Sequence, residues 1–233
     1  MVYNPEIHRR RSLRLKGYDY THVGAYFVTI VTQGRSCLFG EIVGKEMQLN
    51  EAGEMACAIW KALPQRFPSI EIDLFVVMPN HLHGIIVINQ PKRATTRVAP
   101  TKLTNVGAGL VPAQNTNRCP DHRGITRDAP IETMDGEMDR PTADRPALGD
   151  IIGAYKSLTT VEYVRGVKTM KWAPFHERLW QRNYYEHVVR HEESLRDLQQ
   201  YILDNPAQWD FDKENPLAKK PETANEPPTH SPS

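Results

Sequence analysis

The sequence lacks the features that would assign it to a membrane, an oxidising compartment or ATP hydrolysis. No apolar run approaches the roughly 18 residues of a membrane span, and no apolar signal segment follows the basic N-terminus. The three cysteines, Cys37, Cys57 and Cys119, form no CxxC pair, so neither a disulfide framework nor a zinc site is indicated. No P-loop occurs. We therefore expect a soluble, cytoplasmic protein that does not use ATP.

The net charge is also close to zero: 29 Lys and Arg residues and 28 Asp and Glu residues give a formal charge of +1. The positive charges are unevenly placed, however. The stretch HRRRSLRLK at residues 8–16 contains Arg10 and Arg14 within one short arm. Such a cluster is typical of a phosphate-binding surface, although a solvated tail has the same composition. Both interpretations remain open from this stretch alone.

The length of 233 residues fits one ordinary domain with additions. We predict a basic arm at 1–23, a domain at 24–210 and a disordered tail at 211–233, where Pro and charged residues dominate. Residues from about 90 to 146 are rich in Pro, Thr, Asp, Arg and Gly and show neither helical nor strand periodicity. A structureless loop of this length is uncommon inside a compact domain, so we predict a flexible insertion.

The order of elements predicts the fold class. Residues 24–33 have a strand pattern, a small hairpin follows, and Asn50 can cap a helix. Two strands then meet at the turn "PN", and later come a helix from 148, a strand ending near 184 and a helix that ends at Pro206. Because two of the strands are joined by a tight turn, the strands cannot all be connected by helical crossovers. We therefore predict an α+β fold with an antiparallel sheet and helices on one face.

The stretch VVMPNHLHGIIV at residues 76–87 places two histidines in an apolar strand. Residues i and i+2 of a strand project from the same face, so His81 and His83 can point at one cation while Leu82 packs on the other face. Imidazole is a common ligand of transition metals. The alternative is a pair of partly exposed strand histidines with no ligand role, and HxH alone is too short to decide.

The last predicted helix offers Tyr201 and Asn205, which share one helical face at spacing i, i+4. Packing does not require either residue, because Leu195, Leu198 and Ile202 already form the apolar stripe. Asn205 also precedes Pro206, so it can simply serve the helix end.

Four motifs in order, "PNHLHGIIVI", "YKSLTT", "LWQRNYYEHVVR" and "YILDNPAQW", resemble the single-tyrosine HUH transposases. These are the bacterial insertion-sequence enzymes and their REP-associated relatives. The resemblance covers about residues 10–90 and 147–210. It implies a ferredoxin-like α+β sandwich with a central antiparallel sheet, in agreement with the element order. The family's insertion-sequence members often carry Gln where this chain has Asn205, a departure that points toward the REP-associated branch.

The resemblance also implies roles. His81 and His83 match the metal-binding HUH pair, Tyr201 the nucleophile, and Asn205 the third ligand of a divalent ion, Mg²⁺ or Mn²⁺. The implied reaction is cleavage and transfer of single-stranded DNA at hairpin sites through a 5′-phosphotyrosine. Insertion-sequence members act as homodimers, whereas the REP-associated type can work as monomers, so the oligomeric state stays open. The sequence does not settle whether this chain is mobile or domesticated.

Several alternatives accompany these roles. Tyr184 or Tyr185 can instead supply the nucleophile, although adjacent strand residues face opposite ways and at most one of them can reach the metal. Trp180 or Tyr184 can stack a base, with a core position favoured for Trp180. For phosphate contacts we expect basic residues of the arm and of the second half of the chain: Arg10, Arg14, Lys156, Arg178 and Arg182. Lys156 has a solvent-facing lysine as its alternative.

Two other functions compete with strand transfer. A non-catalytic hairpin-binding protein would use the same fold, but binding alone does not need His81, His83, Tyr201 and Asn205 together. A phosphohydrolase of small nucleotides is suggested by HLH alone, and it lacks the further acidic or histidine ligands that such sites usually need.

Overall fold

The computed structural model describes residues 19–90 and 145–219. Most of the predicted basic arm, most of the predicted insertion and residues 220–233 lie outside the described residues, so those predictions stay predictions. The domain boundaries as a whole also remain a prediction. One boundary needs correction: residues 211–219, which we assigned to a disordered tail, belong to the described fold.

Four antiparallel strands of the described residues form the main sheet, in the order β4-β5-β1-β6. β1 (Gly24–Val31) and β5 (His81–Ile88) are central, and β4 (Ile70–Val77) and β6 (Tyr185–Val189) are at the edges. β2 (Gly40–Val43) and β3 (Glu46–Leu49) form a separate hairpin. Without that hairpin, the chain runs strand, helix, strand, strand, helix, strand, which is the ferredoxin-like arrangement. The predicted fold class is therefore confirmed.

In the part of the chain that the structure describes, three α-helices cover both faces of the sheet, which corrects the prediction of helices on one face. α1 (Glu51–Arg66) and α2 (Leu148–Thr169) pack together against one face. α3 (Glu192–Asp204) lies on the opposite face, where Ile202 joins a second, smaller apolar cluster with Phe27 and Ile85. α3 has a strongly two-sided pattern, so one shallow surface is enough to cover its narrow apolar stripe.

Local sequence features set the helix ends. The Asn50 side chain accepts a hydrogen bond of 2.9 Å from the Gly53 amide and caps α1, as predicted. Asp150 accepts a bond of 3.2 Å from the Ala147 amide at the start of α2. Both contacts satisfy backbone donors that the first helical turn would otherwise leave unpaired.

The last strand lies later than predicted. We expected it to end near residue 184, but β6 begins at Tyr185. The preceding aromatic residues belong to an irregular segment whose backbone bonds to the end of β1: Gln33 donates to Leu179 and Gln181 donates to Val31, each over 2.9 Å. Aromatic side chains of this segment, Trp180 among them, pack into the larger core without forming a strand.

Candidate metal and tyrosine site

The two histidines begin β5 and share the sheet face that α3 covers. In the sheet register His81 pairs with Val31 and His83 with Thr29, while Leu82 points into the larger core on the opposite face. Both imidazoles are buried, and their Nε2 atoms are 3.0 Å apart. The alternation read from the sequence therefore places both rings together, although they are buried rather than partly exposed.

The outer nitrogen of each ring has its own hydrogen-bond partner. His81 Nδ1 lies 2.8 Å from Asn80 Oδ1, and His83 Nδ1 lies 2.8 Å from Thr29 Oγ1. These contacts orient both rings so that the Nε2 atoms converge. Partners of this kind are typical of metal-binding histidines, because they fix the ring and leave the inner nitrogen free for the ion.

Burial keeps both histidines neutral at neutral pH. Desolvation lowers the pKa of His81 from 6.5 to about 4, against the opposing pull of the Asp212 and Glu214 carboxylates. The pKa of His83 falls well below 6.5, through burial and then through its neighbour His81. The separation of 3.8 Å between His81 Nε2 and Asp212 Oδ2 is therefore not an ion pair at pH 7. Neutral imidazole is the form that binds metal ions.

Tyr201 reaches this cluster from α3. Its hydroxyl lies 3.3 Å from His83 Nε2, and the two rings are 5.1 Å apart between centroids. The side chain is 40% exposed, so one side of the phenol stays open to solvent. Burial of the other side, together with the nearby Asp212, raises the pKa of Tyr201 to about 12. The phenol is thus well placed but remains protonated at neutral pH in the absence of a cation.

Asn205 lies one helical turn after Tyr201 and is almost fully buried. Its side-chain nitrogen donates to Asp212 Oδ2 over 3.1 Å. Its side-chain oxygen has no hydrogen-bond partner among the described residues. A buried carbonyl oxygen without a partner is costly, so an electropositive group is the expected occupant of the adjacent space.

Asp212 is the ligand candidate that sequence reasoning missed. It is buried, and its Oδ1 accepts a bond of 2.6 Å from the Glu214 amide. With His81 and His83 it forms a cluster whose donor atoms all lie within 4.8 Å of one another. Nothing in the sequence pointed to Asp212, because it follows the last periodic segment and opens a stretch with the composition of a disordered tail.

This donor set fits a divalent cation. Two nitrogens bound at about 2.1 Å and at right angles would be about 3.0 Å apart, and the observed Nε2 separation is 3.0 Å. A carboxylate and an amide oxygen complete a mixed nitrogen and oxygen set that suits Mn²⁺ and is compatible with Mg²⁺. The residues able to hold the ion are His81, His83, Asn205 and Asp212.

The two alternative tyrosines lie on opposite faces, as expected for neighbours in a strand. Tyr185 shares the register position of Thr29 and His83, is 41% exposed, and has the Lys213 ammonium 5.4 Å from its ring centroid. Tyr184 packs against the larger core on the other side. Only Tyr185 is therefore on the side of the histidines, beyond Phe27, which it contacts edge-on.

The predicted DNA-contacting residues fall into three groups. Arg178 and Arg182 are exposed in the segment that precedes β6. The Lys156 ammonium instead donates to the carbonyls of Gln181 and Asn183 over 2.9 and 3.0 Å, and burial lowers its pKa to about 8. Arg10 and Arg14 lie outside the described residues.

Trp180 is buried in the core, and its indole donates to Thr159 over 2.8 Å.

Within residues 19–90 and 145–219, no helix is long and apolar enough to cross a membrane.

The fold and site together define a ferredoxin-like α+β domain with a buried His–His–Asp cluster beside a half-exposed tyrosine. A protein of Haemophilus influenzae that is named only as uncharacterized is 34% identical to this chain over 214 residues, which is 91% of this chain and 96% of that protein. The chain therefore belongs to the same family as that protein. No protein-family profile matches the chain.

Two solved structures show weaker likeness. A REP-associated tyrosine transposase bound to a REP hairpin is 15% identical with a TM-score of 0.40, over 83% of this chain and 72% of that one. A presumed transposase of Deinococcus radiodurans R1 is 14% identical with a TM-score of 0.36, over 82% of this chain and 97% of that one. Likeness at this level carries no argument about activity, which has to rest on the site itself.

Proposed function

We propose that this protein is a metal-dependent DNA nickase and strand transferase that acts on single-stranded DNA next to hairpins. The observation that carries the proposal is the approach of the Tyr201 hydroxyl to within 3.3 Å of His83 Nε2, at the edge of a cluster of neutral imidazoles and buried oxygens. A tyrosine held beside a cation site and open to solvent on its other side is suited to nucleophilic attack on a phosphodiester.

His81, His83, Asn205 and Asp212 would hold the ion, Mg²⁺ or Mn²⁺. A divalent ion bound there supplies positive charge that polarises the scissile phosphate and stabilises its non-bridging oxygens during displacement. Positive charge is needed at this place, because burial and Asp212 raise the pKa of Tyr201 to about 12 and so oppose formation of the phenolate. The buried histidines stay neutral at pH 7 and are ready to act as ligands.

In the proposed step, the Tyr201 oxygen attacks phosphorus and the bond from phosphorus to the 3′-oxygen breaks. The phenolic proton leaves to solvent along the open side of the side chain, and the departing 3′-oxygen takes up a proton. The products are a 5′-phosphotyrosine and a free 3′-hydroxyl. A different 3′-hydroxyl can then attack the phosphotyrosine in the reverse sense and join two strands. No nucleotide cofactor is consumed, in keeping with the absence of a P-loop motif.

The proposed DNA path crosses the exposed side of the α3 face. Tyr185 is exposed on the histidine side of the sheet, one strand beyond Thr29, and would stack a base there, with Lys213 near its ring. Arg178 and Arg182 would contact phosphates at the rim, since their segment is bonded to the end of β1 beside His81. Lys156 would act through this segment by holding its carbonyls. Arg10 and Arg14 stay proposed phosphate contacts of the N-terminal arm.

The test is covalent adduct formation. Purified protein is incubated with Mn²⁺ and an oligonucleotide that carries a hairpin and a single-stranded flank, and is then run on a denaturing gel. We expect a protein–DNA adduct with wild-type protein and with Tyr185→Phe, and none with Tyr201→Phe. Loss of the adduct in Tyr185→Phe but not in Tyr201→Phe would transfer the nucleophile to Tyr185.

Binding is measured on the same samples. Tight hairpin binding that EDTA does not change, with no adduct, would show a non-catalytic DNA-binding protein instead. Arg182→Gln should remove about one phosphate contact. The slope of log binding constant against log salt concentration should then become shallower by roughly 0.7, the value per phosphate of a single strand.

A further inference from the structure

Asn80 is hydrogen-bonded both to His81 and to the chain segment that carries Asp212. It lies in the turn between β4 and β5, directly before His81, and its side chain is fully buried. The side-chain oxygen lies 2.8 Å from His81 Nδ1. The side-chain nitrogen donates to two backbone carbonyls, that of Arg35 over 3.0 Å and that of Glu214 over 2.7 Å.

These two carbonyls fix which way the Asn80 amide points. A carbonyl oxygen only accepts hydrogen bonds, so the group that faces Arg35 and Glu214 must be the NH₂. The oxygen of Asn80 then faces His81, and His81 Nδ1 must carry the proton of that bond. His81 Nε2 is consequently left with a free lone pair directed toward His83 and Asp212.

Thr29 provides no such constraint on His83. Its hydroxyl can donate to Nδ1 or accept from it, since a hydroxyl rotates to suit either partner. Without an ion, His83 Nε2 can therefore carry the proton and donate to His81 Nε2 across the 3.0 Å between them. With an ion present, the His83 proton can sit on Nδ1 and be accepted by Thr29. One histidine has a fixed tautomer and the other can change.

The second contact of Asn80 holds the segment that carries Asp212. Glu214 accepts from Asn80 through its backbone carbonyl and donates through its amide to Asp212 Oδ1 over 2.6 Å. Its carboxylate also meets Arg35 Nε at 2.9 Å. The turn at 212–214 is thus hydrogen-bonded to Asn80 through the Glu214 carbonyl. Glu214 is only two residues from Asp212, the ligand candidate.

We infer that Asn80 is a positioning residue that assembles the metal site from two distant parts of the chain. It sets the tautomer of His81 and holds the 212–214 turn so that Asp212 faces the same point. Asn80 itself would touch neither the ion nor the DNA. The inference rests on the proposed metal site, but not on strand transfer by Tyr201.

The first test uses wild-type protein without metal. Long-range ¹H–¹⁵N correlation spectra of the histidine rings should show His81 protonated on Nδ1 only. A His81 ring protonated on Nε2 would overturn the inference before any variant is made. In Asn80→Ala we expect His81 to populate both tautomers, whereas Thr29→Val should change the spectrum of His83 and leave that of His81 as it is.

The second test measures Mn²⁺ affinity by calorimetry. Asn80→Ala should weaken binding by about 10- to 100-fold, the range seen when outer partners of metal ligands are removed. In an Asp212→Ala background the same change should have a smaller effect, because the turn no longer delivers a ligand. Thr29→Val should instead weaken binding by the same factor in both backgrounds.

The outcomes separate this inference from the proposed function. Mn²⁺ affinity within twofold of wild type in folded Asn80→Ala would overturn the inference and leave strand transfer standing. Mn²⁺ binding by wild-type protein without any DNA adduct would overturn strand transfer and leave the inference standing. If wild-type protein binds neither Mn²⁺ nor Mg²⁺, both are overturned.

Discussion

The two faces of the sheet differ in what they bury. The face toward α1 and α2 buries large aromatic and aliphatic side chains, and the hydroxyls of Tyr26, Tyr155 and Tyr163 each donate to a backbone carbonyl. The face toward α3 buries a smaller apolar cluster and, beside it, two imidazoles and an amide oxygen without a partner among the described residues. α3 itself contributes one fully buried side chain, Ile202.

Stability and chemistry are divided between the two faces. Packed apolar surface stabilises a fold, and the first face does so although the buried Trp60 indole nitrogen has no acceptor among the described residues. Buried neutral histidines and an unpaired amide oxygen lower the stability of the metal-free chain, and such groups are tolerated where a ligand compensates for them. A mutation in the first face should therefore act on folding, and one in the second face on metal binding or catalysis.

The largest expected effect comes from Trp60→Ala in the face toward α1 and α2. Trp60 is fully buried, with its ring 5.0 Å from that of Tyr155 and 6.2 Å from that of Phe75. Removing such a side chain costs about 3–5 kcal/mol of unfolding free energy, from lost burial and the cavity left behind. Urea unfolding at pH 7 in EDTA measures it.

Two variants sharpen that result. Trp60→Phe should cost less, since the indole nitrogen has no hydrogen-bond acceptor among the described residues and its loss breaks no bond. Tyr201→Phe on the opposite face should change stability by about 1 kcal/mol or less, because one hydrogen bond of a half-exposed side chain is lost. Equal destabilisation by Trp60→Ala and Tyr201→Phe would contradict the division between the faces.

The sequence predicted the parts of both faces that depend on local pattern. Alternation in β5 placed Leu82 in the core and His81 and His83 opposite, and helical spacing put Tyr201 and Asn205 on one side of α3. These patterns work because side-chain direction follows directly from strand and helix geometry. No local pattern determines which face of the sheet α3 covers. The prediction that the helices lie on one face was therefore wrong.

The missed features depend on contacts between distant residues. The buried Asp212 carboxylate accepts hydrogen bonds from the Asn205 side chain and the Glu214 amide. It does so in a stretch whose Pro and charge content is typical of disorder. The aromatic composition of the segment before β6 predicts a strand, but Trp180 packs into the core from an irregular backbone that is hydrogen-bonded to β1. Composition alone does not distinguish these cases from a true tail or a true strand.

A smaller effect is expected from acid on the face toward α3. In the folded metal-free chain the pKa of His81 is about 4, whereas its ordinary value is 6.5. Between these values the unfolded chain binds more protons, so stability is fully present above pH 6.5 and falls as the pH drops to 4. A shift of this size corresponds to a loss on the order of 3 kcal/mol. His83 acts in the same direction.

Urea unfolding in EDTA at pH 7 and at pH 4.5 measures this loss. Other groups also titrate in this range, so the informative quantity is the difference between variants. His81→Gln should reduce the loss, whereas His187→Gln, which changes an exposed histidine of β6, should not. If wild type and His81→Gln lose the same stability on acidification, the burial of a neutral His81 is not what limits the fold at low pH.

An effect smaller than that of Trp60→Ala is expected at Gly84, where an added Cβ would point toward the face of α1 and α2. Gly84 follows His83 in β5, and a Cβ added there would lie 2.6 Å from Trp60 Cζ2 and 3.2 Å from Phe75 Cβ. The indole edge occupies the space of a side chain, so Gly84→Ala should cost about 1–3 kcal/mol through overpacking.

Gly153→Ala is the matched control: its added Cβ meets nothing within 4 Å inside α2, so it should stabilise by about 0.5–1 kcal/mol. Urea unfolding gives both values, and an Mn²⁺ titration of Gly84→Ala shows whether displacement of β5 reaches His83. If Gly84→Ala is as stable as wild type and weakens Mn²⁺ binding, the strand moves toward the α3 face to relieve the clash, and the faces are mechanically coupled rather than independent.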